Sequence, residues 1–406
     1  MGIFKEIPPT AGFPLSLKDF SCLFKTVDLQ QDFSDYLGSD CCRLTYSGTA
    51  ALYLILETLK DLSVKATVVI PSFVCPLVPL AIKRAGLKVE VCDVRRDSFD
   101  FDLVQLEDLC LRNGDIAAIV AVHLAGLPAD IAGLKKAAGD RGIFIIEDCA
   151  QSLGAIYEGR KTGTLGDFSF FSLCRGKGLT IYEGGVAVAS KKEYAAVMDG
   201  NIKKLIKRDL LSEALKILEL LGYGVFYRPQ LFWFVFRLPQ LLWEMLGNKL
   251  KSAGEDFAAN FPIHKVSRLR SSIGHAQFAR LESQIEKQRE KARFYIEALR
   301  AIQGIKVIGG HAQGRASYPY LSLIFESSRM RDKVLQALKY SGLGVSQIYA
   351  YAIGDYGYLK TFLPQRKYPG ASYLAEHTLT LSTSAFLENK DLQSVVDVIK
   401  NLSGLR

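Results

Sequence analysis

The feature that most restricts this chain is the alternation of short β-branched runs with amphipathic stretches between residues 45 and 190. Ala66-Thr-Val-Val-Ile70 stops at Pro71, and Lys88–Cys92, Ile116–Val122 and Gly142–Ile146 repeat the same unbroken apolar texture. Between them, 76–86, 102–112 and 130–140 carry apolar residues at helical spacing, with Gly or Asp at their edges. A strand that is apolar throughout has no wet face, so helices must cover it on both sides. The expected fold is therefore α/β, with a mainly parallel sheet and ligands seated beyond the carboxyl ends of its strands.

After Ser190 the texture changes. A basic run, Lys203-Lys204 with Lys207-Arg208, leads into an apolar, aromatic stretch from Leu220 to Trp243. Arg228, Pro229, Arg237 and Pro239 interrupt that stretch before it reaches the ~20 residues of a spanning helix. Two readings stay open. One is a helical insertion packed on the body or on a second subunit. The other is an interfacial segment at 216–246, with Trp233 and Trp243 as anchors and neighbouring cations on anionic headgroups. Residues 266–299 are charged and periodic and read as one long helix. Short strands (Lys306–Ile308, Tyr320–Phe325) and helices (Arg331–Lys339, Asp391–Leu402) then suggest a small α+β domain. The division expected is 1–265, with an insertion over about 201–262, followed by 266–406.

At 406 residues, 49% hydrophobic and 23% charged, the chain is a folded globular protein rather than a disordered or collagen-like one. A surplus of nine cations suits an anionic ligand, a nucleic acid or an acidic membrane face without choosing among them. Eight scattered cysteines without a C-x-x-C pair point to buried thiols in a reducing cytoplasm. The first residues lack a basic segment followed by an apolar one, so no export signal is expected. The five histidines form no metal-ligand spacing, and no metal is expected. His123, at a strand end, is either structural or a ligand contact.

Three blocks carry chemistry. Tyr46-Ser-Gly-Thr-Ala-Ala-Leu-Tyr53 is a small-residue turn into a helix, whose free N–H groups either cap locally or cradle a phosphate. Ile145-Ile-Glu-Asp-Cys-Ala-Gln-Ser152 places acids directly after a buried strand, where Asp148 could cap the next helix or hold a protonated ring nitrogen. In the third, Lys177 sits in a glycine-rich turn between Ser172 and Glu183-Gly184-Gly185, and such an amine can form an imine with an aldehyde.

In order and spacing these blocks resemble the DegT/DnrJ/EryC1/StrS family of sugar aminotransferases, fold-type I enzymes that use pyridoxal phosphate. The likeness includes Pro71-Ser72, Val122-His-Leu-x-Gly126 with Pro128-x-Asp130, Glu147-Asp-x-Ala-Gln151, Gly163-x-x-Gly-Asp167 and Phe171-Ser172 leading to Lys177. It continues more weakly through Ser271–Glu282. The resemblance implies a large cofactor-binding domain and a smaller α+β C-terminal one. It implies that Lys177 holds the cofactor as an imine and shuttles a proton, and that Asp148 pairs with the pyridine nitrogen. Gln151 would face the 3-hydroxyl, and Gly48, Thr49 and Ser172 would bind the phosphate. The implied substrate is a keto-sugar nucleotide, destined for cell-surface polysaccharide or glycolipid, with L-glutamate as donor. A homodimer is implied, and no nucleic-acid partner is expected. The chain departs from the family where Val74-Cys75 stand in place of a ring-stacking aromatic, leaving Phe73 as the candidate. Gly178 stands where Asn is usual and Tyr182 where Gly is usual. An Asn-Tyr-Arg segment is not recognisable around 260–268, where Asn260 or Arg268 are the candidate substitutes. A dehydratase of the same family, which goes with His in place of the lysine, and a catalytically idle regulatory or membrane-scaffold homologue are the alternatives.

Overall fold

The apolar runs become parallel strands. The computed structural model describes residues 4–22, 27–310 and 313–404. Its strands up to residue 190 are β1 (Cys42–Thr45), β2 (Thr67–Pro71), β3 (Lys88–Cys92), β4 (Ile116–Val122), β5 (Phe144–Asp148), β6 (Ile156–Tyr157), β7 (Arg160–Lys161), β8 (Phe168–Ser172) and β9 (Gly185–Ala189). Seven of these form one sheet in the order β1-β9-β8-β5-β4-β2-β3. The pairings β3-β2-β4-β5-β8 are parallel, and β9 runs antiparallel to both β8 and β1.

Alternation along the strands splits the core into two layers. Val68, Ile70 and Val120 face the helix Gly48–Leu62 with Ile55 and Leu59. Val69, Ile119 and Ile145 face the other way, against Leu106, Ile131 and Leu134 of the helices Leu103–Arg112 and Ile131–Ala138. The expected strand at Gly142–Ile146 lies two residues later, at Phe144–Asp148. Gly142 takes a left-handed φ of +62° and belongs to the turn. Both acids are thus inside the strand, not after it.

A second, antiparallel sheet combines β10 (Ile305–Val307), β12 (Tyr320–Phe325) and β13 (Thr378–Ser382), while β11 (Gly314–Arg315) pairs with β6. Helices Ser328–Lys339 and Asn389–Leu402 supply Val334, Val395 and Ile399 to its core, and Leu281–Leu299 adds Tyr295 and Leu299. The single long helix expected over 266–299 is two helices, Arg268–Phe278 and Leu281–Leu299. They break at Ala279-Arg280, where Arg280 turns to buried Asp19 at 2.7 Å.

The insertion folds into four helices, Leu210–Phe226, Pro229–Val235, Arg237–Met245 and Lys249–Ala253. Both prolines lie in a first helical turn, where a missing N–H costs nothing. Ion pairs fasten the insertion, among them Lys339 to Glu244 at 2.7 Å. Arg270, fully buried, grips Glu213 in a two-pronged pair, with Nε–Oε2 at 3.0 Å. Lys216 reaches Glu183 at 2.8 Å, and buried Arg237 reaches Glu6 at 2.8 Å. The outer face of helix Leu210–Phe226 remains bare: Leu211 is 73% exposed, Leu215 54% and Leu218 64%. Among the described residues, no helix is long and apolar enough to cross a membrane.

Candidate active site

The carboxyl ends of β4, β5 and β8 and the start of helix Gly48–Leu62 meet in one cleft. Ser47 caps that helix, its Oγ accepting the Ala50 N–H at 3.0 Å. The N–H groups of Gly48 and Thr49, in the first turn, have no partner within the helix. Two glycines let this end be approached closely. A Cβ on Gly185 would lie 2.3 Å from the Ser47 carbonyl oxygen and 2.6 Å from the Gly48 nitrogen. A Cβ on Gly48 would lie 2.9 Å from that of Ser172. Ser172, Gly48 and Thr49 are therefore drawn into one small concavity at a positive helix end, a cradle of the right chemistry for a phosphate.

Asp148, the last residue of β5, is 6% exposed. It accepts the Ala150 N–H at 3.0 Å and forms no ion pair among the described residues. Burial raises its carboxyl above the ordinary range, opposed in part by that hydrogen bond and by the charge of Lys177. A buried acid without a counter-cation is matched to a ligand that brings a positive charge.

Its neighbour Glu147 is in the opposite condition. Burial pushes its carboxyl up, but hydrogen bonds outweigh that and hold it below the ordinary range. Leu165 and Gly166 donate to Oε1 at 2.7 Å each, and Gly163 donates to Oε2 at 2.8 Å. His123 Nδ1 accepts the Ala129 N–H at 2.9 Å, so Nε2 carries the proton and donates to Glu147 at 2.9 Å. With both nitrogens taken and no exposure, His123 is structural. The expectation that no histidine joins a metal-ligand group needs correcting in one respect: ligand atoms of His123, Glu147 and Cys149 lie within 4.8 Å of one another. Glu147 is already engaged by the turn after β7 and His123 by Glu147 and Ala129, and burial pushes the Cys149 thiol well up.

Lys177 is half-buried in the hairpin loop between β8 and β9. The loop is closed by Leu173 N–H to Gly184 O and Arg175 N–H to Tyr182 O, both 2.8 Å. Tyr182 stands at a left-handed φ of +69°, which explains why glycine is the usual residue there. Here the Thr180 hydroxyl accepts the Tyr182 N–H at 3.0 Å, and the ring meets Tyr223 edge-on at 6.3 Å. An N-terminal arm crosses the loop. Thr10 Oγ1 donates to the Gly176 carbonyl at 2.8 Å, and a Cβ on Gly12 would come within 2.7 Å of Gly176 Cα.

Gln151 Oε1 accepts from the Ala125 N–H (3.0 Å) and from the Tyr320 hydroxyl (2.6 Å), joining the cleft to β12. Phe73 does not face the cleft: it is 1% exposed, stacked on Phe99 at 5.9 Å and edge-on to Tyr349 at 5.2 Å. Cys75 faces Asp148, Lys177 and Glu255 instead, and burial pushes its thiol to about 12. Sequence reading missed Glu255, which the insertion sends into the interior. Its carboxylate accepts from the Tyr356 hydroxyl (2.6 Å) and the Ala350 N–H (3.1 Å), and burial raises it. It also missed Tyr320 and Tyr349. Nothing local marks these residues, because contacts spanning about a hundred positions or more place them.

The cradle, the unpaired buried acid and the lysine fit the phosphate, ring nitrogen and aldehyde of pyridoxal phosphate. The comparisons agree. The family model for the DegT/DnrJ/EryC1/StrS aminotransferase family matches residues 24–208 and 247–400, leaving out 209–246. The UDP-4-amino-4,6-dideoxy-N-acetyl-beta-L-altrosamine transaminase of Campylobacter jejuni is 24% identical over 383 residues, which is 92% of this chain and 89% of that one. The GDP-perosamine synthase of Vibrio cholerae is 30% identical over 162 residues, 40% of this chain and 43% of that one. The crystal structure of sugar aminotransferase CalS13 from Micromonospora echinospora superposes with a TM-score of 0.74 at 18% identity, covering 97% of this chain and 99% of that one. The chain belongs to the DegT/DnrJ/EryC1/StrS aminotransferase family, and pyridoxal phosphate is its cofactor.

Proposed function

We propose that this aminotransferase moves an amino group from an amino acid, L-glutamate, to the keto carbon of a sugar carried on a nucleotide diphosphate. One observation carries the reading: a half-buried lysine, a buried unpaired acid and a two-glycine anion cradle lie at the same end of the sheet. Gly48, Thr49 and Ser172 bind the cofactor phosphate, Asp148 pairs with the pyridine nitrogen, and Gln151 offers its amide NH2 end to the 3-hydroxyl. Pyridoxal phosphate, when bound, supplies the electron sink for the substrate carbon. Lys177 holds the cofactor by its ε-amine and, once free, moves the proton at the substrate carbon. Asp148, shielded from water, keeps its hydrogen bond unscreened.

The Campylobacter jejuni and Vibrio cholerae relatives are named for UDP- and GDP-linked sugars, and the nine surplus cations suit a diphosphate. Aminated sugars of this kind feed cell-surface polysaccharide or glycolipid. The lysine at 177 speaks against the dehydratase alternative. We further propose a homodimer in the cytoplasm, where the eight free cysteines stay reduced. The insertion would lie on the inner membrane face. Glu213, Lys216, Arg237 and Glu244 are consumed in ion pairs, and the exposed cations Lys203, Lys204, Lys207, Arg208, Arg228, Lys249 and Lys251 outnumber the exposed acids Asp209, Glu219 and Asp256. The aminotransfer reading is tested by incubating the purified holoprotein with L-glutamate and a panel of keto-sugar nucleotides, with mass detection. A product one amino group richer is expected; no aminated product from any member would overturn the substrate class. Borohydride reduction should fix the cofactor on the peptide containing Lys177, and a label elsewhere would overturn the assignment.

A further inference from the structure

A cavity of about 650 Å³ opens on the flank of helix Leu210–Phe226, beside its exposed leucines. That volume is in the range of sites for drug-sized ligands. Its walls are aromatic and apolar, chiefly Tyr223, Tyr227, Phe232 and Phe236. Phe226 and Val235 belong both to its lining and to the exposed apolar surface, at 39% and 48% exposure, so the mouth is continuous with that surface. Two charged side chains reach it, and they differ. Glu219 is paired with Lys216 at 2.7 Å. Arg175 stands over the Tyr182 ring at 5.7 Å and forms no ion pair among the described residues. The cavity is therefore an apolar slot with one exposed cation outside any ion pair among the described residues, Arg175, which Tyr182 and Glu183 stabilise, and its mouth opens on the apolar face of the insertion.

We propose that this cavity binds the apolar chain of an anionic membrane amphiphile, with its phosphate head on Arg175. Charge complementarity selects the head: a guanidinium at the mouth outside any ion pair takes a phosphate by charge-assisted hydrogen bonds, and a free phosphate would leave the aromatic walls wet. Helix Leu210–Phe226 also leaves room for a chain. Gly222 lines the cavity, and a Cβ there would meet nothing within 4 Å. The floor includes Gly176, the residue before Lys177, so an occupant would rest on the backbone of the lysine loop. The inference shares the insertion with the membrane contact proposed above but does not depend on amino transfer, and chain binding in free solution reads it apart from both.

The experiment is equilibrium dialysis of the holoprotein with farnesyl phosphate below its aggregation threshold, against farnesol and inorganic phosphate. Saturable binding of one molecule per chain is expected, at least about a hundredfold tighter than inorganic phosphate. Gly222→Trp, which fills the slot from an open position, should abolish it. Gly222→Ala should keep it, and the two variants should melt alike. Arg175→Gln should bring farnesyl phosphate down to the affinity of farnesol. Replacing Leu211, Leu215 and Leu218 by Ser should weaken flotation with phosphatidylglycerol vesicles and leave dialysis unchanged. No saturable binding, equal binding by Gly222→Trp, or phosphate binding as tight as farnesyl phosphate would each overturn the proposal.

Discussion

At the carboxyl end of the sheet a carboxylate, Glu147, is buried and fully partnered; on the insertion, leucines are exposed. Glu147 sits in a dry strand because four donors surround it. Leu211, Leu215 and Leu218 stand in solvent with nothing against them. Each region breaks the usual sorting of side chains, and a protein tolerates such exceptions chiefly where something binds. The family model respects the same boundary, matching on both sides of 209–246 and not within it. One region carries the family pattern; the other lies outside it.

The contrast is most sharply tested at Lys177. Lys177→Ala should lower amino transfer by about 10²–10⁴-fold or more, measured as product per turnover, and should prevent borohydride labelling. Next in size is the weld between the two regions. Glu213→Gln leaves the Arg270 charge buried and should cost about 3–5 kcal/mol in chemical denaturation. A smaller loss would mean that the insertion is held by its apolar contacts alone.

Asp148→Asn should lower kcat by about 10²–10³-fold, the scale of a lost preorganised electrostatic partner. Its pH signature is distinctive. Because burial raises the Asp148 carboxyl, cofactor affinity should fall as pH drops through that raised value, and the Asn variant should titrate flat. Its contribution to folding of the cofactor-free protein has the opposite sign. A raised carboxyl favours the folded state fully below the unfolded-chain value of 3.8, and that contribution is lost as pH rises through the raised one. Gly185→Ala forces a methyl against backbone atoms of the cradle and should destabilise by about 1–3 kcal/mol while weakening cofactor binding. Smallest of all, Leu211→Ser, Leu215→Ser and Leu218→Ser should each change stability by no more than about 0.5 kcal/mol, yet together weaken vesicle flotation. A large stability loss from this face would show that it is packed rather than bare.

The sheet was legible because burial on both faces leaves an unmistakable apolar run. Lys88–Cys92 and Ile116–Val122 came out residue for residue. The order of Ser-Gly-Thr, the acid pair and the glycine-flanked lysine was legible for the same local reason. What could not be read depends on groups far apart in the chain. Acids do not announce a strand, so β5 was placed early, before the four donors to Glu147 were visible. The break at Ala279-Arg280 is decided by Asp19, some 260 positions away. Glu255 was hidden in a stretch read only as apolar insertion, and its partners Tyr356 and Ala350 lie about a hundred residues on. Phe73 was a fair candidate to cover the cofactor ring until Phe99 and Tyr349 claimed its faces.

The N-terminal arm has a consequence for how the molecule is made. Besides the bond from Thr10 to Gly176, Ile7 N–H donates to the Gly342 carbonyl at 2.9 Å, and the Ser382 hydroxyl donates to the Pro8 carbonyl at 2.6 Å. The arm is therefore made long before it can be seated, since two of its partners, Gly342 and Ser382, follow it by more than three hundred residues. The parallel strands are complete by Ser172, whereas the strap over the lysine hairpin closes only once Gly342 and Ser382 have followed.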